Sequence, residues 1–210
     1  AQGRYDEHAT RVRQNFLNAI YDGIERGNGL TIDFIYGHNN DNGQFIPLDG
    51  QQRLTTLFLL YWYAARKSGR TDATFLRHFT YQTRYSARDF CARLADDHFN
   101  PFTSGFKGTL SKEIKDQPWF PDDWIHDGTI SSMLVMLDAI DGKFRTVDNL
   151  SDKLDTIRFY FISLEQLRLT DDIYIKMNSR GKPLTDFENF KAELEKTLQR
   201  VDKTEAKLIA

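Results

Sequence analysis

A run of five consecutive polar or glycine residues at 49–53, Asp-Gly-Gln-Gln-Arg, separates two strongly apolar segments and is the part of the chain best suited to chemistry. The apolar run before it ends at Leu48 and the one behind it spans 54–63, so Asp49-Gly50 is predicted to be a strand-to-helix turn. The last three residues of the run then lie in the first turn of a helix. Free backbone N–H groups and the positive end of the helix dipole gather there, and the arginine adds a planar cationic fork. This combination predicts a site for an anionic ligand such as a phosphate.

Helix capping alone can explain part of this motif. Asp49 is a good N-cap, and Gln52, three residues later, completes an Asp-x-x-Gln capping box. Capping does not explain Gln51 or Arg53, because an arginine near a helix N-terminus opposes the dipole and favours an anion beside it. That anion can be a bound ligand or a neighbouring carboxylate, and the sequence leaves both alternatives open.

A second polar turn lies downstream, within the stretch 174–192, which reads Tyr-Ile-Lys-Met-Asn-Ser-Arg-Gly-Lys-Pro-Leu-Thr-Asp-Phe-Glu-Asn-Phe-Lys-Ala. Its Asn-Ser-Arg-Gly segment at 178–181 is predicted to turn between two helices. Asn178 and Gly181 can be turn residues with no further role. A tight turn can aim Arg180, and we predict that this arginine and Arg53 bracket a triphosphate from two sides.

The two motifs together resemble a known family. Leu-Asp-Gly-Gln-Gln-Arg-Leu-Thr-Thr-Leu at 48–57, with Asp-Phe-Ile-Tyr-Gly at 33–37 upstream and Asn-Ser-Arg-Gly-Lys-Pro-Leu at 178–184 downstream, is similar to the N-terminal domain of the GmrSD-type, modification-dependent (type IV) restriction proteins. The resemblance covers roughly residues 15–195. It implies an α+β, predominantly helical fold, in which a small ParB/sulfiredoxin-like mixed sheet core carries a helical insertion and C-terminal helices. It also implies binding of nucleoside triphosphates.

Chemistry and resemblance together assign roles to the motif residues. Arg53 and the helix N-terminus are expected to hold the phosphates, and Asp49 is expected to bind Mg²⁺ or orient water. Gln51 or Gln52 would position the attacking water or the ribose. Arg180 would neutralise developing charge, and Asn178 would hold the turn or the metal. The remaining predicted nucleotide contacts are Gly50, Thr55, Gly181 and Lys182.

The predicted function is therefore a nucleoside-triphosphate-binding and -hydrolysing regulatory domain of a DNA-targeting restriction or anti-phage protein, with Mg²⁺ and the nucleotide as its ligands. The alternative is a non-enzymatic module that binds DNA or senses a modified base. The chain has no nuclease motif, so we expect any nuclease domain or subunit to be a separate partner. The Arg- and aromatic-rich segment that usually opens the family has no counterpart before Tyr5.

Charge is distributed unevenly along the chain. The 28 Lys and Arg and 30 Asp and Glu give a net charge of −2, which shows no overall preference for polyanions. Residues 66–93, however, include seven basic and two acidic residues, which gives this segment a local charge of +5. Aromatic residues are interspersed among the bases. This composition can bind phosphates and stack bases. Equally, the aromatics can face the core while the arginines stay solvated. The candidate DNA contacts are Arg77, Arg84 and Arg88.

The remaining patterns predict the elements that position these residues. A helix with one buried face is expected at 11–24. Strands at 30–36 and 44–48, joined by a hairpin ending in Asn42-Gly43, would deliver Asp49 to the site. The helix at 54–65 is apolar all round and is expected to be the buried central element. Further predictions are a helical piece at 74–78, a short strand at 79–82, a helix at 86–96, a short helix at 111–116, an amphipathic helix at 130–140 and a buried strand at 158–167.

Length and composition fit a single domain over residues 1–210, with an irregular insertion at about 99–127 and a longer parent protein. No apolar stretch reaches the roughly 18–20 residues of a membrane span and no signal peptide is evident, so a cytoplasmic protein is expected.

The lone Cys91 excludes an internal disulfide and is predicted to pack in the core. The acidic and histidine residues at 122–127 match no established metal-ligand spacing.

Overall fold

The computed structural model describes residues 7–27, 29–70, 73–96, 99–103, 105–106 and 108–163. The second motif at 174–192 and the predicted C-terminal helices lie outside these ranges. The chain forms two compact units, residues 1–162 and residues 163–210. A single domain over residues 1–210 stays a prediction.

Helices take up more than half of the described residues, and three strands accompany them, so the predicted α+β, predominantly helical class is confirmed. In chain order the elements are α1 (Glu7–Glu25), β1 (Leu30–Asn39), β2 (Phe45–Asp49), α2 (Gln51–Lys67), a first 3₁₀ helix (Thr74–His78), α3 (Tyr85–Ala95), α4 (Leu110–Lys115), a second 3₁₀ helix (Asp122–His126), α5 (Gly128–Phe144), α6 (Leu150–Leu154) and β3 (Ile157–Ser163). In this part of the chain no helix is both long enough and apolar enough to cross a membrane.

The predicted hairpin forms between β1 and β2, which pair antiparallel, and β3 lies on the other side of β1. The Asn40 carboxamide oxygen accepts from the backbone N–H groups of Asn42 and Gln44, and Gly43 adopts a φ of 73°. An asparagine that bonds its own turn, followed by a glycine with positive φ, is the chemistry expected of such a connection. The hairpin thus fixes where β2 ends and the polar run begins.

A register shift interrupts the β1–β2 pairing beside the motif. Tyr36 lies opposite Asp49 while Gly37 lies opposite Pro47, so Leu48 is an extra residue on β2. A bulge of this kind bends its strand and redirects the neighbouring side chains. A Cβ on Gly37 would come within 2.1 Å of the Ile46 carbonyl oxygen, so only glycine fits there. The bulge therefore sets the direction in which the chain leaves β2 at Asp49.

Gly50 joins the end of β2 to the start of α2. Its φ of 86° lies in the left-handed region, where side chains cost free energy. A Cβ at this position would meet Cγ1 of Ile35 at 2.9 Å, and Ile35 is fully buried. Both the backbone angle and the close approach require glycine, and together they hold the first turn of α2 against the sheet.

Helix α2 is the buried centre of the fold, as its sequence predicts. Every residue from Thr56 to Arg66 except Tyr61 is buried, and Trp62 and Tyr63 are completely so. Its most extensive packing is against α5. Helix α5 was expected to be amphipathic, but it is buried along most of its length, including the continuous stretch 133–137. That expectation was wrong because α5 packs against α1, α2, α3, α4 and the second 3₁₀ helix, which leaves it little solvent-facing surface.

A polar cluster made of Tyr63, Asp141 and Arg145 joins α2 to α5 inside this core. The Tyr63 hydroxyl donates to Asp141 Oδ1 at 2.9 Å, and the Arg145 guanidinium donates to both oxygens of the same carboxylate. Asp141 is 4 % exposed. Burial, followed by the Asp141 charge, raises the pKa of Tyr63 far above its usual range. The phenol therefore stays protonated and satisfies a carboxylate that would otherwise be costly to bury.

The connection after the first 3₁₀ helix is not the strand predicted at 79–82. Phe79 stacks on Phe58 of α2 with ring centroids 4.6 Å apart, and Tyr81 packs edge-on against Phe79 at 5.6 Å. Side-chain contacts with α2, rather than a backbone ladder, hold this segment. The neighbouring helical predictions at 74–78 and 86–96 are confirmed.

The segment predicted to be an irregular insertion contains α4 and the second 3₁₀ helix, and aromatic side chains fix it to the core. Thr109 caps its helix α4 by accepting from the Lys112 N–H. Phe90 of α3 contacts the rings of Trp119, Phe120 and Trp124 at centroid distances of 5.8–6.4 Å. Such edge and tilted ring contacts are favourable beyond simple burial, so they help to hold this segment on α3. That the segment is an insertion stays a prediction.

Strand β3 differs from its predicted character. The sequence pattern suggests a buried strand, but Phe159, Tyr160 and Phe161 are 41–59 % exposed. Phe161 makes an edge-to-face contact with Phe45 of β2 at 4.7 Å. Apolar composition predicted the strand correctly, while its burial depended on which elements cover it.

Replacing Asp141 with alanine is expected to lower the free energy of unfolding by about 1–3 kcal/mol, because the Tyr63 hydroxyl loses its acceptor in the core. Urea denaturation followed by circular dichroism measures this. The exposed Asp148→Ala variant is the control and should stay within about 0.5 kcal/mol of the parent. Equal stability of the two variants would contradict the role of the cluster.

The raised Tyr63 pKa also predicts a loss of stability at high pH. Below the unfolded tyrosine pKa of about 10, both states keep the proton. Above it only the unfolded state releases the proton, so the free energy of unfolding should fall as pH rises. Urea titrations between pH 9 and 11 should show a shallower fall in Tyr63→Phe than in the parent. Identical slopes would refute the prediction.

Substituting Gly50 by alanine is expected to destabilise the protein more than Gly43→Ala does. Both glycines have positive φ, but a Cβ on Gly43 meets no atom within 4 Å, whereas one on Gly50 contacts Ile35. The difference should be about 1–3 kcal/mol, the typical cost of overpacking a core. Chemical denaturation of the two variants measures it, and equal losses would show that the contact with Ile35 is unimportant.

Candidate functional site

The polar run forms one surface where β2 meets α2, and its centre is an ion pair. Arg53 Nη2, in the first turn of α2, donates to Oδ2 of Asp49, the last residue of β2, at 2.9 Å. The Arg53 side chain is 20 % exposed and that of Asp49 is 46 % exposed, so the carboxylate faces solvent more than the guanidinium does. The anion that the sequence required beside Arg53 is, in this structure, the neighbouring carboxylate.

The capping box predicted from Asp49 and Gln52 is wrong. Gly50 is the N-cap of α2, and no side chain caps the helix. Asp49 cannot do so because its carboxylate is turned toward Arg53. The first bonded backbone donor is the N–H of Leu54, which reaches the Gly50 carbonyl at 2.9 Å. Within the described part of the chain, the N–H groups of residues 51–53 have no acceptor.

Gln51 and Gln52 occupy the exposed side of this first turn. Gln51 Nε2 donates to the Pro47 carbonyl at 2.9 Å, which links the helix back to β2. The Gln51 carbonyl accepts from Thr55 Oγ1 and the Gln52 carbonyl from Thr56 Oγ1, each at 2.9 Å. Both carboxamides remain accessible, so they can reach a ligand that lies over the helix N-terminus.

Tyr81 is a site residue that the sequence reasoning did not single out for this position. Its hydroxyl oxygen lies 2.8 Å from Thr55 Oγ1, although the two residues are 26 apart in sequence. Burial is the largest cause that raises the pKa of Tyr81 above its ordinary value. Nothing in the local pattern links the two positions, because the contact depends on how the connector folds onto α2.

The basic segment contributes less positive surface than its composition suggests. Arg66 is 2 % exposed and donates to the carbonyls of Leu94 and Asp96, so it serves the core and not the surface. Lys67 donates to two backbone carbonyls, those of Phe144 and Val147.

The three candidate DNA contacts differ in what surrounds them. Arg77 is exposed in the first 3₁₀ helix. Arg84 donates to the Thr129 hydroxyl, and Arg88 lies 4.9 Å from the ring centroid of Tyr85 while pairing with Asp89. Tyr85 itself is 66 % exposed. The predicted alternation of aromatic and basic residues is thus partly core packing and partly exposed surface.

The second motif lies outside the described residues. This includes Asn178, Arg180, Gly181 and Lys182, and with them the predicted convergence of Arg180 on Arg53. That convergence stays a prediction.

Metal and thiol chemistry find little support in the described part of the chain. No group there brings three or more histidine, cysteine, aspartate or glutamate side chains together in a way that could hold a metal ion. Asp127 instead caps α5 by accepting from the N–H groups of Thr129 and Ile130. Burial raises the pKa of the Cys91 thiol to about 12, which agrees with the predicted packing role.

Comparison with protein families finds a match over most of the chain. The family model described as "GmrSD restriction endonuclease, N-terminal domain" matches residues 7–195. Comparisons with curated proteins and with solved structures find no match. The matched range contains the polar run at 49–53 and the second motif at 174–192, as the sequence resemblance implied. The chain therefore belongs to the family of GmrSD restriction endonuclease N-terminal domains.

Proposed function

We propose that this chain is a nucleoside-triphosphate-binding and -hydrolysing regulatory domain of a DNA-targeting restriction or anti-phage protein. Membership of the restriction family supports the DNA-targeting context. The observation that carries the nucleotide assignment is the Asp49–Arg53 pair at the uncapped N-terminus of α2. The finer resemblance to ParB and sulfiredoxin nucleotide folds is part of this proposal.

The proposal rests first on the donors that the site presents. Three backbone N–H groups without acceptors in the described chain, at residues 51–53, face the same end of the helix. The helix dipole adds partial positive charge at that point, and the guanidinium of Arg53 supplies a bidentate fork. A chain of phosphates needs these donors in a rigid arrangement, and the buried body of α2 provides the rigidity.

The ion pair itself suits a ligand that carries both signs of charge. A magnesium triphosphate offers phosphate oxygens to Arg53 and a hard cation to Asp49. Mg²⁺ in nucleotide sites is usually bound through one or two carboxylates, substrate phosphates and water. The half-exposed carboxylate of Asp49 fits that donor set without a larger acidic cluster. When bound, the ion would neutralise charge that develops on the phosphates.

The other motif residues have roles consistent with this geometry. Gln51 and Gln52 are exposed on the first turn and would orient the attacking water or the ribose. Gly50 would contact the nucleotide through its backbone, since the side its Cβ would occupy is filled by Ile35. Thr55 would contribute through the backbone of the first turn of α2, since its hydroxyl bonds to the Gln51 carbonyl and to the Tyr81 hydroxyl. Arg180 and Asn178 would complete the site from the second motif, and Gly181 and Lys182 would contact the phosphates.

The ion pair is a poor candidate for a purely stabilising role. Exposed i,i+4 pairs contribute about 0.3–0.5 kcal/mol. Arg53 is nevertheless mostly shielded, and it lies in the one turn of α2 where a cation opposes the dipole. A residue placed against the local field contributes more to recognition of an anion than to folding.

The competing assignment is a DNA-binding or modified-DNA sensor module. The exposed Tyr85 with Arg88 beside its ring favours some contact with nucleic acid. Arg66 and Lys67, however, are used inside the protein, which reduces the basic surface. DNA binding through several arginines weakens steeply with salt and is indifferent to added nucleotide, so the two assignments separate in one titration.

Alanine at Arg53 is expected to weaken triphosphate binding about 10- to 100-fold, because charge-assisted hydrogen bonds contribute about 1.5–3 kcal/mol each. Isothermal titration with ATP, GTP, CTP and UTP in the presence of Mg²⁺ measures it. Asp49→Ala should abolish the Mg²⁺ dependence of binding, and the double variant should show no hydrolysis.

A second Asp–Arg pair, at the C-terminal end of α1, provides the matched control. Asp22 and Arg26 have the same order and the same spacing in sequence as Asp49 and Arg53, but both side chains are more than half exposed. Asp22→Ala/Arg26→Ala should keep the parent's affinity and turnover. Hydrolysis that survives in Asp49→Ala/Arg53→Ala would refute the assignment. Salt-sensitive DNA binding with no saturable triphosphate affinity would instead support the sensor module.

A further inference from the structure

The hydroxyl groups of Tyr81 and Thr55 form a hydrogen-bond chain that ends in the first turn of α2. Thr55 Oγ1 donates to the Gln51 carbonyl at 2.9 Å and lies 2.8 Å from the Tyr81 hydroxyl oxygen. A threonine hydroxyl has a single proton. Because that proton points to Gln51, Tyr81 must be the donor to Thr55. The order of donation is therefore Tyr81 to Thr55 to the Gln51 carbonyl.

This chain acts on a backbone donor of the proposed nucleotide site. The Gln51 carbonyl and the Gln52 N–H belong to one planar, conjugated peptide group. Hydrogen bonds in series polarise one another, by about 10–30 % per bond. The additional bond to the carbonyl therefore makes the Gln52 N–H a stronger donor. Among the described residues this N–H has no acceptor, and it lies at the end of α2 where an anion binds.

The neighbouring peptide group repeats the arrangement. Thr56 Oγ1 donates to the Gln52 carbonyl at 2.9 Å, and that carbonyl shares its peptide group with the Arg53 N–H. Two successive threonines thus polarise two successive donors of the first turn. The outer one, Thr55, is itself supported by a further hydroxyl, that of Tyr81.

Tyr81 is held in place by packing and not by its hydroxyl alone. Its ring packs edge-on against Phe79, which in turn stacks on Phe58 of α2. The hydroxyl therefore stays at the first turn whether or not a ligand is bound. Burial raises the pKa of Tyr81, so the donating proton is retained at neutral pH.

We propose that Tyr81 is a positioning residue of the phosphate site, an inference that rests on the nucleotide function proposed above. Through Thr55 and the Gln51–Gln52 peptide group, Tyr81 strengthens and orients the Gln52 N–H that contacts a phosphate. Tyr81 touches no phosphate itself. Its effect reaches the ligand only through the backbone, which distinguishes it from Arg53.

Tyr81→Phe tests this inference, and Tyr85→Phe is the matched control, because it removes a hydroxyl from an exposed tyrosine only four residues away. Two quantities are measured: the Kd for inorganic tripolyphosphate, and the amide ¹H and ¹⁵N chemical shifts of Gln52. Tyr81→Phe should raise Kd about two- to tenfold and move the Gln52 amide proton upfield. Tyr85→Phe should change neither.

A double-mutant cycle separates positioning from general stabilisation. Thr55→Val should raise Kd at least as much as Tyr81→Phe does, and the double variant should bind no more weakly than Thr55→Val alone, because Tyr81 acts only through Thr55. A merely structural role would also give coupled losses, because the two hydroxyls bond to each other, but it would leave the Gln52 shift unaffected.

The outcomes distinguish this inference from the function on which it rests. If the parent binds tripolyphosphate and Tyr81→Phe binds it as tightly as Tyr85→Phe, the positioning role is overturned and the nucleotide function stands. If the parent does not bind tripolyphosphate, ATP or GTP, the nucleotide function fails. The Gln52 shift then decides the hydrogen-bond chain alone: a shift specific to Tyr81→Phe supports it, and no shift overturns it.

Discussion

The burial of α2 on nearly all sides is the constraint on which the rest of this structure depends. From Thr56 to Arg66 only Tyr61 escapes full burial, so the helix cannot rotate or slide without exposing apolar surface. Helices α5 and α6 and the first 3₁₀ helix pack on it, and α1, α3, α4 and the second 3₁₀ helix pack on α5. A helix so confined presents its N-terminus at one fixed position, and a site built there gains rigidity that a loop could not provide.

A central helix also requires an internal partner for each of its polar side chains. The Trp62 indole N–H donates to the Leu94 carbonyl, and Arg66 donates to the same carbonyl and to that of Asp96. Tyr61 reaches the Leu154 carbonyl and Tyr63 reaches Asp141. These bonds join α2 to α3, α5 and α6 in turn. Polar groups that resemble surface or functional residues in the sequence therefore hold the helices together.

The N-terminal turn of α2 differs from the buried part of the helix, because its backbone N–H groups are left without a side-chain cap. Its glycine is forced by a positive φ and by contact with Ile35, and its carboxylate is turned away from the backbone toward Arg53. The helix consequently begins without a side-chain cap. Orphan N–H groups at a helix start are normally capped or bonded to water or a ligand. The geometry leaves this set accessible, beside a cation that the helix dipole disfavours, which is the arrangement expected where an anion binds.

The sequence by itself determined the local elements and the place of the motif. Apolar periodicity located α1 and α2, the asparagine and glycine of the turn located the hairpin, and the polar run located the strand-to-helix junction. These features are set by neighbours within a few residues, so a linear reading captures them. The family resemblance was also recognisable from the sequence, because two separated motifs occur in the expected order.

Only the tertiary structure decided which partner each polar group takes. Asp49 pairs with Arg53 and does not cap the helix. Arg66 is buried in the core. Helix α5 is buried along most of its length and is not amphipathic. Tyr81 came to lie beside Thr55 because the connector packs on α2 through Phe79. Such pairings join positions far apart in sequence, and a hydrogen bond or burial at one of them depends on the packing of all the others. The local sequence pattern therefore cannot show which of the possible partners each polar group takes in the folded protein.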